Sequence, residues 1–207
     1  MENQKINIAF LGNHGTGKTT LSKFVQQKYG NVILSFANPV KDFTASVLQS
    51  LHGRGFDYWR SLLNTSKAKD DPIHIIDNEA GFNEIHYPHG LRPMLQAIGQ
   101  SARTVFGDDF WINQLQSEID CYGTSSGLVI DDLRYGNEYD FLRFNNFHIV
   151  FIDKPGSDTG HDSESAQELV STKQVEPDLV IKHSEGENNA CTVLEAYISL
   201  KTDTNND

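Results

Sequence analysis

Short apolar runs alternate with longer segments of helical periodicity along this chain. The runs are continuous, as in strands buried on both faces of a parallel sheet, and they lie at residues 6–11, 32–36, 127–130, 149–152 and 179–181. Apolar residues recur at helical spacing near residues 19–28, 38–51, 91–106, 109–119, 138–144 and 191–200, with a further short helix from about residue 163. Strands that alternate with helices predict an α/β fold with a parallel sheet covered on both faces, hence three layers.

Residues 52–90 interrupt this alternation. The segment is rich in glycine, proline and mixed charges, and its one short apolar stretch lies at residues 73–76. We interpret it as an insertion with one or two short helices around residues 58–63. The predicted organisation is a single domain over residues 1–207, with a core of about residues 5–51 and 91–200. A polar tail at residues 201–207 is expected to be frayed and disordered.

Composition narrows the classes of function. The chain has 207 residues and a formal net charge of −11. A surface this acidic repels a nucleic-acid backbone, so polymeric DNA or RNA is not an expected partner, whereas a local cation cluster still suits a small phosphorylated ligand. No apolar run is long enough for a membrane span and the N-terminus lacks a secretory pattern, so we expect no membrane partner and a cytoplasmic location. Cys121 and Cys191 have no partners at metal-ligand spacing and are expected to be reduced thiols.

Residues 12–19 read GNHGTGKT and match the pattern G-x-x-x-x-G-K-[ST] between a predicted strand and a predicted helix. Glycines let main-chain N–H groups converge on phosphate oxygens, and the helix that begins there adds its positive end. Lys18 can reach the β- and γ-phosphates of ATP, and the Thr19 hydroxyl can ligate Mg²⁺. The loop therefore predicts a P-loop nucleotide site, and its expected ATP contacts are Asn13, His14, Gly15, Thr16, Gly17, Lys18, Thr19 and Thr20.

Absent motifs favour one class of P-loop protein. The chain has neither the N-K-x-D motif of GTPases nor the LSGGQ signature of transporters, and it is short for a motor. A small kinase that phosphorylates a metabolite is therefore favoured. Such a kinase needs cations around the transferred group, and the candidates are Lys41, Arg92, Arg103, Arg134 and Arg143.

Arg134 stands out among these cations because it follows Asp131-Asp132 at the carboxyl end of a predicted strand, where open α/β sheets bind ligands. One of the Asp131-Asp132 pair could hold the Mg²⁺ water shell or orient the acceptor phosphate ligands, whereas Asp132 could instead cap a helix or a turn. Trp111 could stack on a base or belong to the core. Gln96 and Gln100 lie four residues apart on one helical face and suit hydrogen bonds to a base edge.

Together these segments resemble the deoxynucleoside monophosphate kinases of tailed bacteriophages over residues of about 6–198. The resemblance rests on the loop at 12–19, SFANPVK at 35–41, LRPMLQAIGQSAR at 91–103, DDFW at 108–111, DDLRYGNE at 131–138 and HDSE at 161–164. It implies transfer of the γ-phosphoryl group of ATP to a deoxynucleoside monophosphate (dNMP), which gives the diphosphate and ADP, with Mg²⁺. It also implies a homodimer, a host-cytoplasmic location if the gene is carried by a phage, and an adenylate-kinase-like core with a monophosphate-binding insertion of about 52–90 and a lid of about 153–165.

The resemblance assigns roles by position. Lys18, Arg134 and Asp132 would be catalytic, and Lys41 would help bind the monophosphate. The acceptor site would be lined by Arg92, Gln96, Gly99, Gln100, Trp111, Asp132, Arg134 and Glu138. One departure is that residues 153–162 offer only Lys154 and His161 as cations where such lids are often arginine-rich. Charge would then come from Arg134, Arg92, Arg103, Arg60 or Lys67.

Two other functions fit the same loop. One is a kinase of another small metabolite, similar to dephospho-coenzyme A kinase. The other is a nucleotide-gated module, not a kinase, that hydrolyses ATP slowly to switch a partner protein. ADP release measured with a panel of acceptors distinguishes the first from a dNMP kinase. The second predicts ADP release that does not depend on an acceptor, and a tight protein partner.

Overall fold

The computed structural model describes residues 5–77, 83–122, 126–154, 166–182 and 187–203. The strands are β1 (Ile8–Leu11), β2 (Val32–Leu34), β3 (Ile73–Asp77), β4 (Asn83–Tyr87), β5 (Leu128–Leu133), β6 (His148–Asp153) and β7 (Leu179–Lys182). The helices are α1 (Lys18–Tyr29), α2 (Ala37–His52), α3 (Phe56–Asn64), α4 (Ser66–Asp70), α5 (Arg92–Phe106), α6 (Phe110–Tyr122), α7 (Gly136–Phe144), α8 (Ala166–Ser171) and α9 (Glu187–Asp203).

Five strands form one sheet in the order β2-β5-β1-β6-β7, and every pairing in it is parallel. The predicted α/β fold with a parallel sheet flanked by helices is confirmed. β1 lies at the centre, between β5 and β6, and all four of its residues are at most 1% exposed. Because parallel strands end at the same edge, the segments that follow β1, β5 and β6 leave the sheet side by side.

The chain divides into two compact units. The sheet unit comprises residues 1–36 and 115–207, and the second unit comprises residues 37–114. The core of the sheet unit packs one face of the sheet against α1 and α9, through Ile8, Phe10, Leu21, Val25, Val129, Val150, Leu194 and Ile198 among others.

The second unit is larger than the insertion predicted at 52–90. Residues from α2 share one core with α3 and with the residue that precedes α5; this core contains Ala45, Leu48, Trp59, Leu63, Ile85 and Leu91. The shared core explains why α2 and α5 belong with the segment between them.

An antiparallel hairpin of β3 and β4 lies in the second unit, where the sequence showed only a short apolar stretch. Ile75 pairs with Ile85 in its register, and Ile73 pairs with Tyr87. Gly90 follows with φ of 66°, and a Cβ there would lie 2.3 Å from the Lys69 carbonyl oxygen. Only glycine therefore fits where the chain turns from the hairpin into α5.

Two boundaries in the sheet unit differ from the predicted ones. β5 continues to Leu133, so Asp131 and Asp132 lie within the strand and not after it. Helix α9 continues to Asp203, so the frayed tail predicted from residue 201 starts inside a helix, and residues 204–207 lie outside the described ranges. Most of the predicted lid, residues 155–165, also lies outside them.

Within the described ranges, no helix combines the length and apolar character needed to cross a membrane.

Candidate phosphate-binding site

The loop between β1 and α1 has the backbone of a phosphate-binding loop. Gly15 and Gly17 adopt φ values of 74° and 97°, a region that side-chain-bearing residues rarely enter. A Cβ on Gly12 would lie 2.7 Å from Thr16 Oγ1 and 3.1 Å from the Ile152 carbonyl oxygen. Sterics at position 12 and backbone conformation at positions 15 and 17 thus favour glycine, as the motif predicts for Gly12 and Gly17.

Thr16 stabilises the turn from inside the loop. It is 1% exposed, and its Oγ1 donates to the Asn13 carbonyl oxygen at 2.9 Å. The other predicted ATP contacts surround it, and His14, Gly15, Thr19 and Thr20 are exposed. The Thr19 hydroxyl lies in the first turn of α1, on the surface, and can therefore reach a ligand at the helix N-terminus.

Lys18 is the charged centre of the loop. Its Nζ donates to the carbonyl oxygens of Gly12 and of Asn13, the latter at 2.8 Å. Burial, and to a lesser extent the positive charge of Arg134, lower the pKa of Lys18 to about 8, and the negative charges of Asp132 and Asp131 oppose this shift. A partly desolvated ammonium at a helix N-terminus attracts anions strongly, because little water competes for it.

Asp132 joins β5 to the end of β2. Its Oδ2 accepts from Ser35 Oγ at 2.6 Å, and its Oδ1 accepts from the Phe36 main-chain N–H at 2.9 Å. The structure thus favours the turn-capping alternative for this carboxylate, which also contributes charge to the surroundings of Lys18. Ser35 gains a positioning role that the sequence indicated only through its place in the SFANPVK segment.

Arg134 leaves the sheet immediately after β5, and its side chain is exposed. Its charge acts on Lys18, as do those of Asp131 and Asp132. The fold therefore brings the loop lysine, the Asp131-Asp132 pair and Arg134 to one edge of the sheet, although more than 100 residues separate them in sequence.

Glu138 has a different environment from the one predicted. It is 1% exposed, and its Oε2 accepts from the main-chain N–H groups of Arg134 at 2.9 Å and Tyr135 at 3.2 Å. This arrangement is a capping box at the start of α7. The geometry assigns Glu138 to capping the helix and not to contacting an acceptor nucleotide.

Trp111, in the second unit, is part of the packed interior. It is 3% exposed, and its indole N–H donates to the Gly99 carbonyl oxygen at 3.0 Å. Of the two alternatives for this residue, core packing is the one found in the structure. A Cβ on Gly99 would lie 3.8 Å from Val40 Cγ1, so Gly99 faces α2 at ordinary packing distance.

The remaining predicted acceptor contacts also lie in the second unit. Arg92 forms a two-point ion pair with Asp70, in which Nη2 donates to Oδ2 at 2.9 Å and Nε donates to Oδ1. The hydrogen bond to Asp70 raises the pKa of Arg92. Gln96 and Gln100 are exposed on α5, and Lys41 is half-buried on α2.

Other candidate cations contact protein groups. Arg60 donates to Asp42 through Nε and to Asn38 through Nη2 at 3.1 Å. Arg103 Nη1 donates to the Asp108 carbonyl oxygen at 3.2 Å, and Arg143 Nη1 donates to Asp178 Oδ2 at 2.6 Å. Arg143 thereby joins α7 to the segment before β7, which gives it a structural role.

Two contacts of the loop were not visible in the sequence. The Asn13 side chain binds the first two residues of α8, Ala166 and Gln167. Lys154 Nζ donates to the Gly15 carbonyl oxygen at 3.0 Å. Lys154 was noted as a cation, but no pattern in the sequence indicated Gln167.

The chain is similar to one curated viral protein over most of its length. The relative comes from Acanthamoeba polyphaga mimivirus, bears the name "Putative deoxynucleotide monophosphate kinase", and is 25% identical over 190 residues that cover 84% of this chain and 86% of the relative. No family model matches the chain.

Two solved kinase structures overlap with most of the chain. An unliganded sugar kinase from Janibacter sp. HTCC2649 gives a TM-score of 0.47 at 14% identity, covering 94% of this chain and 95% of that one. The Mycobacterium tuberculosis APS kinase CysC, in complex with AMPPNP and APS, gives 0.37 at 14% identity, covering 93% and 96%. At this level of identity and overlap, neither structure bears on which reaction this chain carries out.

Proposed function

We propose that this protein is an ATP-dependent kinase that transfers the γ-phosphoryl group of ATP to a deoxynucleoside monophosphate, giving the diphosphate and ADP. The observation that carries the proposal is the site around Lys18, where a glycine loop presents a partly desolvated ammonium within electrostatic reach of Arg134. The mimivirus relative, named for a deoxynucleotide monophosphate kinase, supports the class of acceptor.

The chemistry requires little from the protein beyond position and charge. An oxygen of the acceptor phosphate attacks the γ-phosphorus, the bond from that phosphorus to the bridging β–γ oxygen breaks, and ADP leaves. The acceptor phosphate is already a nucleophile at neutral pH, so no strong general base is needed. Lys18 and Arg134 would stabilise the charge that spreads over the transferred oxygens, and Asp132 would hold the β2 and β5 ends that carry this site.

Mg²⁺ would bind at this site together with ATP. The exposed Thr19 hydroxyl in the first turn of α1 can supply one oxygen ligand. Among the residues that the structure describes, no group of three or more His, Cys, Asp or Glu side chains forms a metal site. Kinases usually bind Mg²⁺ through nucleotide phosphates, water and few protein oxygens. The ion would neutralise phosphate charge.

The acceptor would use residues of the second unit. Lys41, Arg92, Gln96, Gly99 and Gln100 are the proposed contacts, carried over from the resemblance to phage kinases. Arg92 is already oriented by Asp70, so we propose that it meets the acceptor as a fixed guanidinium.

A coupled assay of ADP release tests the proposal. The full chain is mixed with ATP and Mg²⁺ and with each dNMP, each ribonucleoside monophosphate or dephospho-coenzyme A, and mass spectrometry identifies the product. We expect ADP release that depends on one or more dNMPs, with matching diphosphate. Release only with dephospho-coenzyme A would indicate a different metabolite kinase, and release without any acceptor dependence would indicate a nucleotide-gated module.

Lys18→Ala is the matched test of the site. Loss of the ammonium should lower turnover by orders of magnitude with the fold intact by circular dichroism. Lys23→Ala removes an exposed lysine from the same helix, and we expect unchanged turnover. Full activity of Lys18→Ala would refute the site.

A further inference from the structure

The side chain of Asn13 links the phosphate-binding loop to a distant helix. Its Oδ1 accepts from the Ala166 main-chain N–H at 2.9 Å, and its Nδ2 donates to Gln167 Oε1 at 2.5 Å. Ala166 is the first residue of α8, and the first N–H groups of a helix have no partner within it. Asn13 therefore caps a helix that begins 153 residues later in the chain.

The main chain of the same residue holds the loop itself. The Asn13 carbonyl oxygen accepts from Thr16 Oγ1 at 2.9 Å and from Lys18 Nζ at 2.8 Å. The main chain of Asn13 thus contacts the turn and the lysine that would bind phosphates, and its side chain contacts the start of α8. The bond from Lys154 to the Gly15 carbonyl oxygen is a second link from the sheet edge to the loop.

We propose that Asn13 is a positioning residue that couples the loop to α8, so that nucleotide in the loop and the capped start of α8 stabilise each other. The coupling needs no movement of either element. The oxygen and the nitrogen of the Asn13 side-chain amide are both hydrogen-bonded to α8, so these bonds hold the loop in its observed conformation before the nucleotide binds. Binding of phosphates to that conformation must stabilise the bonds in return, because coupling between two equilibria is reciprocal. The inference rests only on the nucleotide-binding part of the proposed function.

The size of the effect follows from the bonds involved. Loss of one or two neutral hydrogen bonds weakens a coupled equilibrium about tenfold. Asn13→Ala removes both bonds, whereas Gln167→Ala removes one and leaves the cap on Ala166. The effects of the two substitutions should not add, because both act on the same link.

The test measures ADP binding by titration calorimetry and hydrogen exchange of the α8 amides, with and without ADP, in the full chain. The set is wild type, Asn13→Ala, Gln167→Ala, the double variant and a control, Gln174→Ala, which removes an exposed amide beyond the end of α8. We expect ADP to slow exchange of the Ala166 amide and of α8 in wild type and in the control. In Asn13→Ala, ADP should bind about tenfold more weakly and should no longer protect α8, and the double variant should match it.

Wild-type ADP affinity in Asn13→Ala, or undiminished protection of α8 by ADP in that variant, would overturn the coupling. Should Asn13→Ala not fold, Gln167→Ala carries the same comparison, with a smaller loss of affinity expected and an unchanged affinity overturning the proposal. The proposed kinase activity is tested separately, by the assay of acceptor-dependent ADP release. Tight ADP binding with the expected coupling and no phosphorylated product would reject the kinase and leave the coupling standing.

Discussion

Lys18 carries the charge that should control nucleotide binding as the pH changes. In the free protein, burial lowers the pKa of Lys18 to about 8. Phosphates bind the ammonium form and stabilise it, so the pKa rises again in the complex. The affinity for ATP is therefore expected to fall as the pH rises through about 8, since a growing fraction of the free protein must first take up a proton. Titrations of ATP into the protein between about pH 7 and 9.5 measure this affinity. The range lies above the pKa of the last phosphate ionisation, so the charge of ATP itself stays nearly constant.

Lys18→Arg provides the control for this profile. A guanidinium stays charged throughout the range, although its shape fits the loop less well. Its affinity should be lower than that of wild type but nearly constant with pH. A wild-type affinity that is equally constant would show that Lys18 keeps an ordinary pKa or that phosphate binding does not depend on its charge.

Glu138 offers a second test at the residue scale, because its buried carboxylate serves two main-chain N–H groups. Glu138→Ala leaves both without an acceptor, and the free energy of unfolding should fall by about 2 kcal/mol. Glu138→Gln keeps an acceptor oxygen, as capping boxes allow, and should lose less. Urea unfolding measures both losses. The KM for the dNMP should not change in either variant, and a raised KM in the folded Gln variant would place Glu138 in the acceptor site after all.

Among the elements, α5 carries several proposed acceptor contacts and has a glycine in its interior. Gly99→Ala fits the packing, since the nearest atom is Val40 Cγ1 at 3.8 Å. The change should raise the free energy of unfolding by about 1 kcal/mol, because alanine is the better helix former. If Gly99 lines the acceptor site as proposed, the added methyl group should also raise the KM for the dNMP, with kcat little changed.

Thermal or urea unfolding and steady-state kinetics give the two readouts. Gly55→Ala is the matched control, because a Cβ there meets open space and its φ of −62° suits any residue. Its KM should equal that of wild type. A more stable Gly99→Ala with unchanged KM would remove Gly99 from the acceptor site and leave it with a packing role alone.

The strands that the sequence predicted well are those in which consecutive residues are buried on both faces of the sheet. β1, β5 and β6 are covered on both faces, so their apolar runs are continuous, and a continuous run is a strong signal. β3 and β4 form a two-stranded sheet in which only alternate residues can be buried. Its polar members, such as His74 and His86, fall opposite one another and are exposed. Each strand alone is too short for that alternation to stand out from a loop.

At the scale of the whole molecule, the site was predictable only where one stretch of chain specifies it. The loop at residues 12–19 is contiguous, and the rule that ligands meet the carboxyl edge of parallel strands brought Asp132 and Arg134 to it. The partners of individual polar atoms could not be predicted, because they depend on tertiary contacts. The bonds from Asn13 to α8 and from Asp132 to Ser35, and the capping role of Glu138, are of this kind.

The division into two units makes a prediction about where each ligand acts. The expected ATP contacts, residues 13–20, lie in the sheet unit, and most of the expected dNMP contacts, such as Lys41 and Gln100, lie in the second unit. A bound ligand protects the backbone that it orders, and at a hundredfold excess over its Kd it stabilises the folded state by about 2.7 kcal/mol. Hydrogen exchange should therefore show slowing by a non-hydrolysable ATP analogue in α1 and the loop before it, and slowing by a dNMP in α2 and α5.

Lys18→Ala separates the two footprints, meaning the sets of residues whose hydrogen exchange each ligand slows. It should abolish the footprint of the ATP analogue and retain that of the dNMP, because Lys18 belongs to the loop and not to the second unit. A dNMP footprint confined to the sheet unit would contradict the proposed acceptor residues at positions 41, 92, 96, 99 and 100 together. It would require the acceptor to be held instead by residues at the sheet edge, such as the exposed Arg134.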